Sequence, residues 1–184
     1  MGDFYPLTPY VTEIVADVWL AWQWNRPEAG KGAIHAFRVD SKQATMKPVH
    51  RTTNVENPFF LALSPDRKYL YSIATPDFGD KVNDGIAAFR LEGATGRMKL
   101  ITRQSALGTT ACDLDVDATG RTLVVANYSS GSVASLPIGK DGSLGEAAAV
   151  ALPEPPAGAP AAARERPMMR PGIWRLKLSF AAYM

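Results

Sequence analysis

The chain repeats itself at an interval of about 53 residues, and that constrains its fold more than any other feature. Laid over "CDLDVDATGRTLVVAN" (112–127), the earlier "FLALSPDRKYLYSIA" (60–74) puts Leu61 on Leu114, Leu63 on Val116, Lys68 on Arg121 and Leu70 on Leu123 without a gap. A second block repeats as well. "GAIHAFRVD" (32–40) matches "GIAAFRLE" (85–92), and "GSVASLPI" (131–138) is a weaker third copy. Each is followed by a turn and a short run: "SKQATMKPV", "GATGRMKLI" and "GKDGSLGEA". A unit copied at fixed period cannot bury both its faces alone, so copies must stack on one another.

Within the middle copy, alternation and β-branched or aromatic content predict four strands, at 59–64, 69–75, 85–91 and 98–104. Pro-Asp, Thr-Gly and Asp-Gly mark the turns between them. Four antiparallel strands per unit of about 50 residues is the pattern of a β-propeller blade. A β-sandwich also has many short strands but would not repeat its sequence at a fixed period. The expected fold is therefore all-β: a β-propeller arc of about three four-stranded blades over 1–150, with an irregular Pro/Ala-rich tail over 151–184. "TEIVADVWLAW" (12–22) could pass for a helix; because it leads straight into a repeat, strand is preferred there.

Composition narrows the function classes. The net charge is +2, and five of the 20 basic residues lie beyond residue 150, leaving a near-neutral body. Such a body lacks the clustered basic face that nucleic acid requires, so no nucleic-acid partner is expected. Cys112 is the only cysteine, which excludes an internal disulfide and reads as a small buried hydrophobe, with a reactive thiol as the alternative. The first 22 residues carry acids and prolines where a secretion signal needs a basic start, and Pro6 occupies the usual hydroxyl position of a myristoylation motif. No run approaches the roughly 18 apolar residues of a membrane span. A soluble, cytoplasmic protein without membrane partner, metal or cofactor is expected.

Three segments, "NPFFLALSPDRKYLYSI", "DGIAAFRLEGATGRMKLI" and "DVDATGRTLVVANYSSGSVASLPIGKDGSLGEA", resemble the seven-bladed propeller lactonases of the 6-phosphogluconolactonase type. The Asn-Tyr-x-x-Gly-Ser-Val segment (127–133) and the turn after it (139–145) are its most specific part. The resemblance implies a hydrolase that opens a phosphorylated sugar lactone in the pentose phosphate pathway, with a small sugar lactone as its partner. Some relatives act on other lactones or as cyclases. This chain departs in two places. Where relatives usually place a His, "TTACDLDV" offers Asp113; where they continue with Pro-His-x-His and further blades, it runs into "ALPEPPAGAPAAARERPMMRPGIWRLKLSFAAYM", which holds six of the 14 prolines. The expectation is the first two-and-a-half to three blades of a longer protein ended by a frameshift or truncation, with a specialised short member as the alternative. An open arc would expose apolar blade faces and so associate with itself or with a complementing chain.

Opening a lactone needs an activated water, a base and donors for the developing oxyanion. Asp113 is the candidate base, at the start of an inner strand. Asp115 and Asp117 share its face by period-two spacing, which separates them by nearly 7 Å, wide for one hard cation; a hydrated acidic edge is the plainer reading. Asn127 and Tyr128, at a strand end, are the candidate substrate-orienting amide and phenol, or alternatively turn-makers. Arg103 is the candidate phosphate partner, with a solvated strand arginine as the alternative. His35 and His50 have no acid at a telling spacing and read as structural, so no Ser-His-Asp triad is supported. Trp19, Trp22 and Trp24 read as blade-packing aromatics or a sugar platform. The competing function is a non-catalytic propeller piece that binds or scaffolds, or an inactive product.

Overall fold

Tyr-Leu-Tyr-Ser-Ile-Ala, residues 69–74, sends alternate side chains to opposite faces of a strand, and both faces are buried. Tyr71 and Ile73 join one apolar cluster, while Leu70 and Ala74 join a second on the other side. The neighbouring strand divides in the same way: Ile86 and Ala88 go to the first cluster, Ala87 and Phe89 to the second. A sheet apolar on both faces needs a sheet on each side of it. The computed structural model, which describes residues 14–16, 32–40, 42–76, 82–147 and 149–151, supplies both.

The first sheet comprises β1 (Ile14–Ala16), β2 (Ile34–Asp40) and β3 (Thr45–Thr52). The middle sheet comprises β4 (Pro58–Leu63), β5 (Tyr69–Ala74), β6 (Gly85–Leu91) and β7 (Met98–Ser105), with one 3-10 turn at Gly93–Thr95. In the third are β8 (Ala111–Val116), β9 (Thr122–Asn127), β10 (Ser132–Pro137) and β11 (Ala149–Ala151). Each is an antiparallel meander in chain order. These are three blades of a propeller, and the four strands expected in the middle copy all form, with ends shifted by no more than one residue. β1 is a strand, as preferred; the tryptophans and the tail after 151 lie outside the described residues. β4 lies against β8, so the first strands of successive blades are neighbours.

The copies are equivalent down to their hydrogen bonds. In the β4–β5 turn Ser64 N–H donates to Tyr69 O (3.0 Å) and Arg67 N–H to Ser64 O (2.8 Å). In the β8–β9 turn Asp117 N–H donates to Thr122 O (2.9 Å) and Gly120 N–H to Asp117 O (2.8 Å). Even the side-chain acceptor is matched: Ser64 Oγ takes the Tyr69 amide at 3.0 Å, and Asp117 Oδ1 takes the Thr122 amide at 2.7 Å. Bulges repeat too, at Val49 of β3 opposite Ala36 and Phe37, and at Ile101 of β7 opposite Ala88 and Phe89. Asp117 is therefore a turn-organising residue, not a member of an acidic face. Desolvation pushes its carboxyl up, but hydrogen bonds from the Thr119 hydroxyl and the 119, 121 and 122 amides outweigh that and leave it below its ordinary value.

The turn between the third and fourth strands of a blade rests on the blade before it. Gly142 has φ +81° and lies so near the middle blade that a Cβ would stand 2.2 Å from Tyr69 Cδ1. Around it Tyr71 Oη donates to Gly142 O (3.3 Å), Leu144 N–H to Thr102 Oγ1 (2.9 Å) and Gln104 Nε2 to Leu144 O (3.2 Å). Gly96 holds the same place one copy earlier, with a built Cβ 2.5 Å from Ala36 Cβ. In the first blade the position is Ala44, exposed and at φ +50°.

Two substitutions follow. Ala44→Gly removes the clash of a left-handed L residue, offset in part by glycine's unfolded-state entropy, and is expected to raise unfolding free energy by about 0.5 to 1 kcal/mol. Gly142→Ala meets both the left-handed backbone and the Tyr69 ring, and is expected to cost about 2 kcal/mol or more. Urea unfolding of both variants checks the pair; a destabilised Ala44→Gly or a neutral Gly142→Ala would contradict the turn-docking account.

Candidate functional site

The predicted site residues gather at the end of the blades where β4 and β8 begin and where β5, β7 and β9 finish. Here the chain crosses from one blade to the next, at 53–57 and again at 106–110. A crossover leaves its sheet and so loses ladder partners for its amides and carbonyls, which must find others. Several of its residues also take left-handed backbone: Asn57 (φ +30°), Leu107 (φ +50°) and Thr110 (φ +53°). Side chains from the blade ends hold both crossings.

At the first crossing, Asn57 Nδ2 donates to Thr75 O at 3.0 Å. Arg103 Nη2 donates to Asn54 O at 2.7 Å, and its Nη1 pairs with Glu56 Oε1 at 3.5 Å. Arg103 is thus no simple solvated strand arginine; its guanidinium is already engaged by the crossover. At the second crossing Asp84 is the central residue. Its N–H donates to Gly108 O (3.0 Å), its carbonyl accepts from Ala106 N–H (2.8 Å), and its Oδ2 accepts from Ala111 N–H (2.5 Å). Asp84 is 2% exposed, and burial raises its carboxyl above the ordinary value despite opposing hydrogen bonds from the Thr75 side chain and the Ala111 amide.

Asn127 lies at the same crossing with no exposure at all. Its Nδ2 donates to Ala106 O at 3.0 Å and Ser132 Oγ at 3.1 Å, and a Cβ on Gly108 would come within 2.3 Å of that nitrogen. A fully covered amide clamped on the crossover is the geometry of the turn-holding alternative. Tyr128 differs. Its N–H donates to Thr110 O at 2.7 Å while the residue is 39% exposed, so the backbone is fixed and the residue meets solvent.

Asp113 is half-buried on β8, immediately after a bulge, opposite Ala126 and with Oδ1 3.0 Å from Leu114 N. Asp115 is exposed and accepts from Val116 N–H at 2.9 Å. Cys112 is half-buried; desolvation, and then the charge of Asp113, push its thiol up to about 11, which makes it an unreactive small side chain at neutral pH. His35 stacks on Phe37 at 6.2 Å between ring centroids.

One cleft of about 310 Å³ opens at this end of the middle blade, walled by Pro76 and Ile86 and lined by Glu56, Asn83, Asp84 and Arg103. Arg103 is brought to it; Asp113, Asn127 and Tyr128 belong to the next blade and do not line it. Sequence reasoning missed Glu56 and Asp84. A signal existed for the second: Asp84 and Ser130 each precede the glycine that opens a repeated block, and each accepts an amide of the 106–111 crossing, Ser130 Oγ from Thr109 N–H at 3.2 Å.

Residues 25–167 match the model of a family described as lactonase, 7-bladed beta-propeller. The chain is similar to a 6-phosphogluconolactonase of Formosa agariphila, 30% identical over 111 residues, which are 60% of this chain and 31% of that protein. It is also similar to a 6-phosphogluconolactonase of Bacillus subtilis, 27% identical over 64% of this chain and 32% of the other. Among solved structures, the periplasmic gluconolactonase of Pseudomonas aeruginosa superposes with a TM-score of 0.58 at 27% identity, covering 67% of this chain and 35% of that one. The chain spans about a third of the length of these relatives. No helix among the described residues is long and apolar enough to cross a membrane.

Two of the perturbed groups, Asp84 and Cys112, give expected pH behaviour. Burial holds the folded pKa of Asp84 above that of an ordinary carboxyl, so its contribution is fully present below the unfolded value and is lost as pH rises through the folded one. In Asp84→Asn that loss is absent, so wild-type stability relative to the variant should fall as pH rises above the ordinary carboxylate range; a difference independent of pH would overturn the assignment. Cys112 should react slowly with a disulfide reagent at pH 8 and speed up only as pH approaches 11; fast labelling of the folded chain at pH 7 would contradict the buried-thiol reading.

Proposed function

The chain belongs to the seven-bladed β-propeller lactonase family, and on that premise we propose that it serves the hydrolysis of a sugar-phosphate lactone, of the 6-phosphogluconolactonase kind. The observation that carries this is similarity to two proteins of that name over 60% and 64% of this chain. The chemistry adds water across the ring ester. Water attacks the carbonyl carbon, a base takes its proton, the tetrahedral oxyanion is held by hydrogen-bond donors, and the ring oxygen leaves and is protonated to give the open-chain acid.

Asp113 suits the base. It stands on the first strand of its blade, next to the first strand of the preceding one, and the bulge before it re-aims the strand at that point. Tyr128, fixed through its backbone and exposed, suits a contact to substrate or oxyanion. Asn127 acts on the site through the crossover it clamps. The reading places the reaction in the cytoplasm, where charge retains phosphorylated sugars behind an apolar bilayer.

The test is the rate on 6-phosphoglucono-δ-lactone, corrected for spontaneous hydrolysis. Asp113→Asn is expected to lower that rate by about 10²- to 10⁴-fold, the usual worth of a positioned base. A wild-type rate equal to buffer would sink the enzymatic reading, and an undiminished Asp113→Asn would remove Asp113 as the base.

A further inference from the structure

The cleft at the end of the middle blade has a charge balance that a phosphate clamp would not have. Its one guanidinium, Arg103, is paired with Glu56, and Asp84 adds a second carboxyl to the lining. An incoming phosphate would meet two acids for one cation. A neutral ring bearing several hydroxyls meets what it needs, because each hydroxyl both donates and accepts.

We propose that this cleft is a binding site for an uncharged polyhydroxylated ring, a sugar or an unphosphorylated sugar lactone, recognised by Glu56, Asp84 and Arg103. The volume of about 310 Å³ lies at the lower end of the range for small-molecule sites and suits a single ring. The Glu56 and Arg103 side chains are 48% and 40% exposed at 3.5 Å, a pair weak enough for ligand hydroxyls to share or part. At the covered side of the cleft, Asp84 Oδ2 is taken by the Ala111 amide and the carboxyl also meets the Thr75 side chain, whereas Oδ1 is buried with no hydrogen-bond partner among the described residues. A buried acceptor left unmade is costly, so a donor brought there by a small shift of the lining is favoured. Asn83, exposed on the rim, supplies an amide that donates and accepts. The apolar walls at Pro76 and Ile86 suit the C–H face of a sugar ring.

This inference draws on the lactonase reading only for the ligand's chemical class, and its test does not involve turnover. Methyl β-glucoside is uncharged and has no ester to open. Titrated into the full chain, it is expected to bind with a Kd of about 1 to 10 mM and to shift the Asn83 and Gly85 backbone amide resonances. Glucose 6-phosphate is expected to bind no more tightly than the glucoside. Glu56→Gln, which breaks no backbone contact, should weaken the glucoside about tenfold, and Arg103→Gln by at least as much, with unfolding midpoints recorded beside each. Absence of saturable binding, binding unchanged in Glu56→Gln, or clearly tighter binding of the phosphorylated sugar would each overturn the proposal. Lactone turnover without glucoside binding would leave the proposed function standing and this site refuted. Glucoside binding without turnover would do the reverse.

Discussion

The middle blade is apolar on both faces, and the rest of the structure follows from covering it. Tyr71, Ile73, Ile86 and Ala88 need the third blade; Leu70, Ala74, Ala87 and Phe89 need the first. Apolar area removed from water stabilises by roughly 25 cal/mol per Å², so face-to-face stacking is the principal source of stability here. It also sets the geometry. Side-chain period in a strand is two, so a one-residue slip of β5 would carry every large side chain to the wrong neighbour. The bulges and the left-handed turn residues hold that register.

Stacking creates a second demand, at the crossings between blades. The chain must leave one sheet and enter the next, and there its backbone groups lose ladder partners. Arg103, Asp84, Asn127 and Ser130 supply replacements from the blade ends, which concentrates polar side chains at one end of the structure. The candidate chemistry therefore sits where the architecture already requires polar groups. This explains how neighbouring residues come to serve different purposes: Asn127 and Tyr128 are adjacent, yet one is wholly covered by the crossing it holds and the other is exposed beside it.

Much of the fold was legible because a blade is a local object. Its strands are consecutive, its turns contain their own acceptors, and alternation of side chains reports both faces. The 85–91 strand forms as expected to the residue, and the equivalence of the "SPDRKY" and "DATGRT" turns, read from their spacing, extends to matching hydrogen bonds. The site was legible only in part. Asp113 is on the strand expected of it, but no local pattern tells whether an asparagine at a strand end turns toward solvent or into a neighbouring crossing. Arg103 reaches Asn54, 49 residues earlier, and Asp84 reaches Ala111, 27 residues later; neither partnership leaves a local trace.

The sequence by itself determined the repeat, the strands, the turn chemistry and the family, since each depends on residues near one another in the chain or on whole-segment similarity. Only the tertiary structure decided that Arg103 meets Glu56 beside Asp84 in one cleft, that Asn127 is sealed under the second crossing, and that Gly142 leaves room for the Tyr69 ring. The physical reason is the same for all three. They are consequences of how blades stack, and stacking brings together side chains whose separation along the chain carries no periodic signal.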